Sequence, residues 1–118
     1  MTLRECYEAM GGNYDEVMGR LRTEERVKKF ALKFLADTSF DTLKTALAAG
    51  NGEEAFRAAH TMKGVTQNLS FDRLYRSSHE ITEALRGGIS QEAETMLPQV
   101  EADYMATRDA IEALQAGE

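Results

Sequence analysis

Residues 50–72 read GNGEEAFRAAHTMKGVTQNLSFD, and their second residue, Asn51, is an asparagine of the kind that caps helices. From there to Leu69 the segment is rich in strong helix formers such as alanine, glutamate, methionine and lysine. Its mostly apolar inner positions recur every three or four residues, which is the spacing of a bundle seam. These positions are Phe56, Ala59, Met62, Thr66 and Leu69. One long helix packed along one face is therefore predicted.

Similar patterns precede this segment. Thr2 with Glu5, and Asn13 with Glu16, have the spacing of a capping box, so two short helices are expected at the N-terminus. A stronger helix is predicted over residues 24–36. Its apolar residues fall at helical intervals and predict one buried stripe. The stripe consists of Val27, Phe30, Ala31, Phe34 and Leu35.

A further helix is predicted on each side of residues 50–72. Thr38 or Ser39 can cap the one before it, and Gly50 is expected to end that helix in a left-handed conformation. Asp72 is predicted to cap the one after it. The buried stripe of this last helix is predicted to be Leu74, Ser78, Ile81 and Leu85.

The final helical stretch is expected to start at Ser90, and Pro98 lies inside it. Proline cannot donate the helical hydrogen bond and clashes with the preceding turn. Two outcomes remain open from the pattern: one helix ends near Leu97 and another begins, or a single long helix bends there.

Composition agrees with an all-α protein. Valine and isoleucine, which favour strands, occupy only seven of the 118 positions, whereas alanine, leucine and glutamate are abundant. A chain of this length fits one domain, here residues 1–118. The expected architecture is a four-helix bundle with its core at about residues 24–115. Additional short helices would form an N-terminal extension at about residues 2–22.

Charge and residue counts exclude several function classes. The net charge of −6 opposes general affinity for nucleic acid. A single cysteine, Cys6, cannot form an internal disulfide, and the two histidines lack the close ligand spacing of a zinc site, so no metal site is expected. No run approaches the roughly 20 apolar residues that span a bilayer. We expect an unsecreted, cytoplasmic protein that does not bind membranes.

The residues around His60 suggest a reactive surface. On a helix with the seam described above, His60 projects beside the buried stripe, with Arg57, Lys63, Gly64 and Gln67 on its own face. An imidazole nitrogen can accept a phosphoryl group, and neighbouring cations stabilise its oxygens. Glycine inside a helix costs about 1 kcal/mol relative to alanine, so Gly64 suggests that something approaches closely. The alternative is an ordinary solvated surface histidine.

The run HTMKGVTQNLS, residues 60–70, resembles the signature of histidine phosphotransfer (HPt) domains. In that signature histidine, any residue, leucine or methionine, lysine and glycine precede an apolar residue and a glycine. The alanine-rich approach to the histidine, the glycine-ended helix and a long last helix with a proline near its start also resemble the family. The resemblance covers about residues 24–115 and implies an up-down antiparallel four-helix bundle.

By this resemblance His60 is the phosphoacceptor, Lys63 lies beside the phosphoryl group, and Gly64 clears space for the partner and the imidazole. Two positions depart from the family pattern. Ser70 stands where the signature has its last glycine. Thr82 stands where the family often has a glutamate or glutamine that holds the histidine ring, so it acts through water or not at all.

Arg86 shares a helical face with Thr82 and could add a phosphate contact. An equally good interpretation is an arginine favoured by the helix dipole at a C-terminus. Phe71 and Tyr75 are candidates for an apolar docking surface, although either could instead be buried. His79 begins a run that only partly resembles a sensor-kinase phosphoacceptor box, so edge packing is expected for it.

The resemblance implies a phosphocarrier without ATP-dependent kinase activity of its own. It would relay a phosphoryl group between receiver-domain aspartates, with response-regulator receiver domains and hybrid sensor kinases as partners. No cofactor is expected on this chain, since the receiver domain would supply Mg²⁺. The protein is expected to act as a monomer. The competing hypothesis is a non-catalytic helical adaptor, or a degenerate HPt protein, that binds a receiver or kinase domain.

Overall fold

Helices form nearly all of the computed structural model, which describes residues 1–117. Within that range there are no strands, and a short 3-10 segment at Phe34–Ala36 follows the third helix. The α-helices are α1 (Leu3–Met10), α2 (Tyr14–Leu21), α3 (Glu24–Lys33), α4 (Ser39–Ala48), α5 (Gly52–Asn68), α6 (Asp72–Ala84) and α7 (Gln91–Ala116). The all-α prediction is confirmed.

The last four helices form the bundle. Each packs on the next, α4 on α5, α5 on α6 and α6 on α7, and α4 also contacts α7. The short helices lie outside this ring, with α1 packed along α7 and α2 joined to α3. The predicted four-helix bundle with additional N-terminal helices is therefore confirmed.

An aromatic cluster fills the core where the N-terminal helices meet the bundle. The ring of Phe71 lies 5.4 Å from that of Phe34 and 5.6 Å from that of Tyr7. Phe71 is completely buried. It therefore belongs to the core and not to a docking surface, which settles one of the alternatives that the sequence left open.

Most predicted helix ends are confirmed. Thr2 and Glu5 form a full capping box at α1, and Gly50 closes α4 with φ of 74°. At α2 only half of the predicted box forms. Asn13 accepts from the Glu16 amide, but the Asn13 amide donates to the Ser70 carbonyl, 2.9 Å away. A tertiary hydrogen bond thus replaces the local one.

One predicted cap is confirmed in position only, and another is wrong. Thr38, one of the two predicted alternatives, occupies the cap position of α4, but its side chain makes no capping hydrogen bond, and Asp37 Oδ1 accepts from the Ser39 amide at 2.8 Å. Asp72 is the first residue of α6 rather than its cap, and buried Phe71 occupies the cap position. At α4 the carboxylate of the residue before the cap position makes the hydrogen bond, and at α6 a core residue occupies the cap position. Local spacing reveals neither arrangement.

The predicted buried stripe of residues 24–36 is narrower than expected. Val27, Ala31 and Phe34 are buried, but Phe30 keeps 40% of its surface exposed. At 100° per residue, Phe30 lies about 60° to one side of Val27, while Ala31 and Phe34 lie closer to the buried direction. The phenyl ring therefore reaches the rim of the core, where it is available on the surface.

Pro98 lies within a single helix. The long α7 runs without interruption from Gln91 to Ala116, so the alternative of two separate helices is excluded. Ser90 caps its start by accepting from the Ala93 amide, as predicted. The missing proline amide is tolerated on the exposed side of α7.

The turn after α5 is tied to the N-terminal helices. Ser70 is buried and has a left-handed φ of 56°, which explains why glycine suits this position. Tyr7 Oη donates to the Leu69 carbonyl at 2.8 Å. With the Asn13 contact described above, these bonds satisfy carbonyl groups that the end of α5 leaves unpaired. The helix that carries His60 is thereby anchored at its C-terminal end.

Candidate functional site

Packing of α5 sets the direction of His60. Ala55, Ala59, Met62 and Thr66 are fully buried along its inner face. His60 follows Ala59 by one residue, which turns it about 100° away from the buried direction, and it is exposed. The predicted placement of the imidazole beside the seam agrees with the structure.

Phe56 is the aromatic neighbour of His60. The two residues are four apart on α5, and their ring centroids lie 5.9 Å apart at an interplanar angle of 45°. Phe56 itself is half-buried and packs against the core. The sequence assigned Phe56 only to the core stripe, but the ring lies at the flank of that stripe and contacts the imidazole as well.

Arg86, just beyond the end of α6, reaches the same ring. Its guanidinium carbon lies 5.4 Å from the centroid of Phe56, within the range of a cation–π interaction. Arg86 Nε also donates to Glu83 Oε2 at 2.8 Å. His60 and Arg86 therefore contact a common aromatic side chain, which places the predicted phosphate contact at the same end of the bundle.

Glu83 is a member of this group that the sequence analysis missed. The hydrogen bond from Arg86 lowers the pKa of the Glu83 carboxyl, and the charges of Arg86, His79 and Lys63 act in the same direction. Because Lys63 is on α5 and Glu83 on α6, this interaction crosses the helix interface. The spacing of three between Glu83 and Arg86 was the signal that could have identified the pair.

The remaining predicted cations lie three residues before and three residues after His60 on α5. Arg57 is exposed and pairs with Glu53 at 3.5 Å, whereas Lys63 is half-buried. The Arg57 pair is exposed on both sides and contributes little to stability. Arg57 can therefore exchange Glu53 for another anion at small cost.

Gly64 lies one turn beyond His60 in open space. A methyl group added at its α-carbon would meet no heavy atom of a neighbouring element within 4 Å. Gln67 is exposed one turn further along, and the two residues line an open groove. The rest of that groove consists of Arg20, Val65 and Asn68. Close packing against another helix therefore does not account for this glycine.

Thr82 does not face the site as a free hydrogen-bonding group. Its side chain is fully buried, and its hydroxyl donates to the Ser78 carbonyl of its own helix at 2.6 Å. This proton is consequently not available to an imidazole on α5. The structure thus brings His60, Phe56, Lys63 and Arg86 together but commits Thr82 to α6.

The second histidine has a different environment. His79 is half-buried, and its ring stacks on that of Tyr75 with centroids 6.0 Å apart. Its Nδ1 atom is buried and has no hydrogen-bond partner among residues 1–117. The expected edge packing agrees with this position, and His79 offers a less accessible nitrogen than His60.

An apolar groove lies between α3 and the C-terminal part of α5. Phe30, Val65 and Leu69 contribute its carbon surface, and the groove has a volume of about 210 Å³. Lys33, Asp37 and Asn68 complete its rim. The partly exposed ring of Phe30 is the largest apolar group available there.

Among residues 1–117, no group of three or more histidine, cysteine, aspartate or glutamate side chains could hold a metal ion. In the same range, no helix combines the length and the apolar character required to cross a bilayer.

Comparison with known proteins relates the chain to a family. No curated protein and no solved structure matches the chain significantly. A family model does match, and it covers residues 33–117, which include α4 to α7 and the whole environment of His60. Because this match spans well over half of the sequence, the chain belongs to the Hpt domain family.

Proposed function

We propose that this protein relays a phosphoryl group between receiver-domain aspartates through a phosphohistidine at His60. Membership of the Hpt family supports a phosphotransfer role in two-component signalling, as a phosphocarrier rather than a kinase. The observation that carries the proposal is the exposed imidazole of His60 with Lys63 and Arg57 on its own helix. Arg86 completes the group through its contact with Phe56.

The proposed step is a reversible displacement at phosphorus. The unprotonated ring nitrogen of His60 attacks the phosphoryl group of an aspartyl phosphate, so that a nitrogen–phosphorus bond forms while the acyl oxygen–phosphorus bond breaks. The aspartate leaves as a carboxylate, and the other ring nitrogen keeps its proton. Nearby ammonium and guanidinium groups stabilise the equatorial oxygens, where charge accumulates during phosphoryl transfer.

Receiver domains and hybrid sensor kinases are the proposed partners. The receiver would supply Mg²⁺ and its acidic pocket, so this chain needs only a nucleophile, local positive charge and a docking surface. Gly64 leaves room for that pocket to approach His60. The groove lined by Phe30 and Val65 offers further apolar surface. We expect a cytoplasmic monomer for this role.

The direct test is incubation with a receiver domain phosphorylated with labelled phosphate. The wild-type protein should gain label that is lost in acid and retained in base, as expected of a phosphohistidine. His60→Gln should gain none while its helical circular dichroism stays unchanged, because His60 is exposed. His79→Gln should still be labelled. Label on His60→Gln but not on His79→Gln would contradict the site assignment.

A second candidate function is a binding adaptor that does not carry phosphate. The commitment of the Thr82 hydroxyl to Ser78 favours it, because no side chain at that position holds the imidazole by a hydrogen bond. If the protein is an adaptor, the wild-type form should gain no label. His60→Gln should then bind the unphosphorylated receiver with the same affinity as the wild-type protein. The labelling experiment therefore distinguishes the two functions.

A further inference from the structure

We propose that Phe56 is the positioning residue of His60, orienting the imidazole by ring packing where no hydrogen bond from Thr82 can do so. This inference rests on the phosphotransfer role proposed above. It concerns how an exposed histidine is kept in a reactive orientation. Its starting observation is the 5.9 Å separation of the two ring centroids.

An exposed histidine on a helix would otherwise move freely between rotamers. Phe56 lies four residues before His60, the spacing at which helical side chains meet. Their rings are inclined by 45°, within the range of distances and angles that aromatic pairs adopt. Contact on one side of the imidazole restricts the orientations that its ring can take.

Phe56 can act in this way because it is itself held in place. It is half-buried and packs against the hydrophobic core, so its ring does not reorient freely. Exposed residues such as Arg57 lack this anchoring. The packing of Phe56 in the bundle therefore limits the motion of His60, a side chain that must remain accessible to a partner.

The same ring also locates the cation that follows α6, Arg86. The Arg86 guanidinium carbon lies 5.4 Å from the centroid of Phe56 and is fixed further by its 2.8 Å bond to Glu83. Removal of the ring would release the imidazole and leave the guanidinium held by Glu83 alone. The expected consequence is a slower transfer step rather than weaker binding, since a misplaced nucleophile reduces the rate at saturation.

The test uses three variants of Phe56 and one matched control. Phe56→Ala removes the ring, Phe56→Leu keeps apolar volume without a ring, and Phe56→Tyr keeps the ring. Tyr14→Ala is the control, because Tyr14 is also a half-buried aromatic with an arginine over its ring, Arg4 at 4.3 Å. Tyr14 contacts Tyr7, Glu24 and Arg4, which all lie in the N-terminal helices, away from His60.

Transfer from a phosphorylated receiver is measured over a range of receiver concentrations. Phe56→Ala should lower the maximal rate about tenfold with little change in KM, an effect of about 1.4 kcal/mol on the barrier. Phe56→Leu should also be slow, whereas Phe56→Tyr and Tyr14→Ala should keep the wild-type maximal rate. Phe56→Leu keeps the test valid if Phe56→Ala fails to fold.

A second measurement does not require transfer. In the unphosphorylated protein, the imidazole proton resonances of His60 should lose their aromatic ring-current shift in Phe56→Ala and in Phe56→Leu, but not in Tyr14→Ala. Wild-type maximal rates in both ringless variants would overturn the inference while leaving the phosphotransfer role intact. A raised KM at an unchanged maximal rate would also overturn it, by making Phe56 a docking contact. A wild-type protein that gains no label would instead overturn the proposed function.

Discussion

Arg20 joins the N-terminal helices to Ser70 in the turn that follows α5. Its Nη1 donates to Ser70 Oγ at 3.0 Å and to the Asn68 carbonyl at 2.7 Å. Ser70 Oγ in turn donates to Glu16 Oε1 at 2.7 Å. Arg20 and Glu16 lie before residue 33, where the family match begins. The N-terminal extension therefore supplies hydrogen bonds to the C-terminal end of α5, the helix that carries His60.

Arg20→Ala should destabilise the protein by about 1 kcal/mol. The substitution leaves the carbonyl groups at the end of α5 without their charged donor, although solvent can partly replace it because Arg20 is partly exposed. Urea unfolding measures the change. Arg26→Ala is the matched control, since Arg26 is exposed on α3. Equal midpoints for the two variants would show that the Arg20 contacts contribute nothing.

Local patterns in the sequence predicted most of the helices but not the contacts between them. The capping box of Thr2 and the seam of α5 depend on residues three or four apart, so the sequence contains the necessary information. The half-formed box at Asn13 was not predictable in this way, because its amide donates to the Ser70 carbonyl across the fold. Phe71 was ambiguous for the same reason, since only the packed aromatic cluster shows that it is buried.

Cys6 should make stability decrease at high pH. Burial raises the pKa of its thiol from 9.0 to about 11, so the unfolded chain loses this proton before the folded one does. The contribution of the thiol to stability is complete below pH 9 and is lost as the pH rises towards 11. Cys6→Ala should show a shallower fall in the urea midpoint between these values. Identical pH profiles for wild type and Cys6→Ala would contradict the prediction.

Pro98→Ala should stabilise the protein by about 2 kcal/mol. The alanine restores a helical amide donor inside α7 and removes the clash of the proline ring, while the unfolded chain gains some freedom. Thermal or urea unfolding measures the gain. Met105→Ala changes another exposed residue of α7 without altering the backbone, and should have little effect. A loss of stability in Pro98→Ala would indicate that the packing of α7 depends on the proline.

The sequence predicted the part of the site that lies on one helix. It did not predict the contacts that depend on how neighbouring helices pack. His60, Lys63 and Gly64 lie on one helix, so their spacing was sufficient to group them. The contact between Arg86 and Phe56 joins two helices and depends on the angle at which α6 crosses α5. The burial of Thr82 is likewise a property of packing, and it leaves the hydroxyl with the Ser78 carbonyl of its own helix as its partner.

Lys63→Ala should slow phosphoryl transfer without unfolding the protein. Lys63 lies one turn from His60 and is half-buried, so removal of its charge withdraws stabilisation from the phosphoryl oxygens. The rate loss should be largest at low salt, where charge interactions are least screened. Lys29→Ala, which removes an exposed lysine of α3, is the control. Equal transfer rates for the two variants at low salt would contradict the assigned role of Lys63.

Gly64→Gln should separate stability from activity. A β-carbon at Gly64 would meet open space, so replacing this helix-interior glycine should stabilise the fold by about 0.5–1 kcal/mol. The glutamine side chain would stand one turn from His60 and block the approach of a receiver, so transfer should fall strongly. Gly19→Gln is the matched control, since Gly19 is also exposed inside a helix and borders open space. It should show the same gain in melting temperature with normal transfer. A Gly64→Gln protein that melts lower than wild type and transfers normally would overturn the docking role of this glycine.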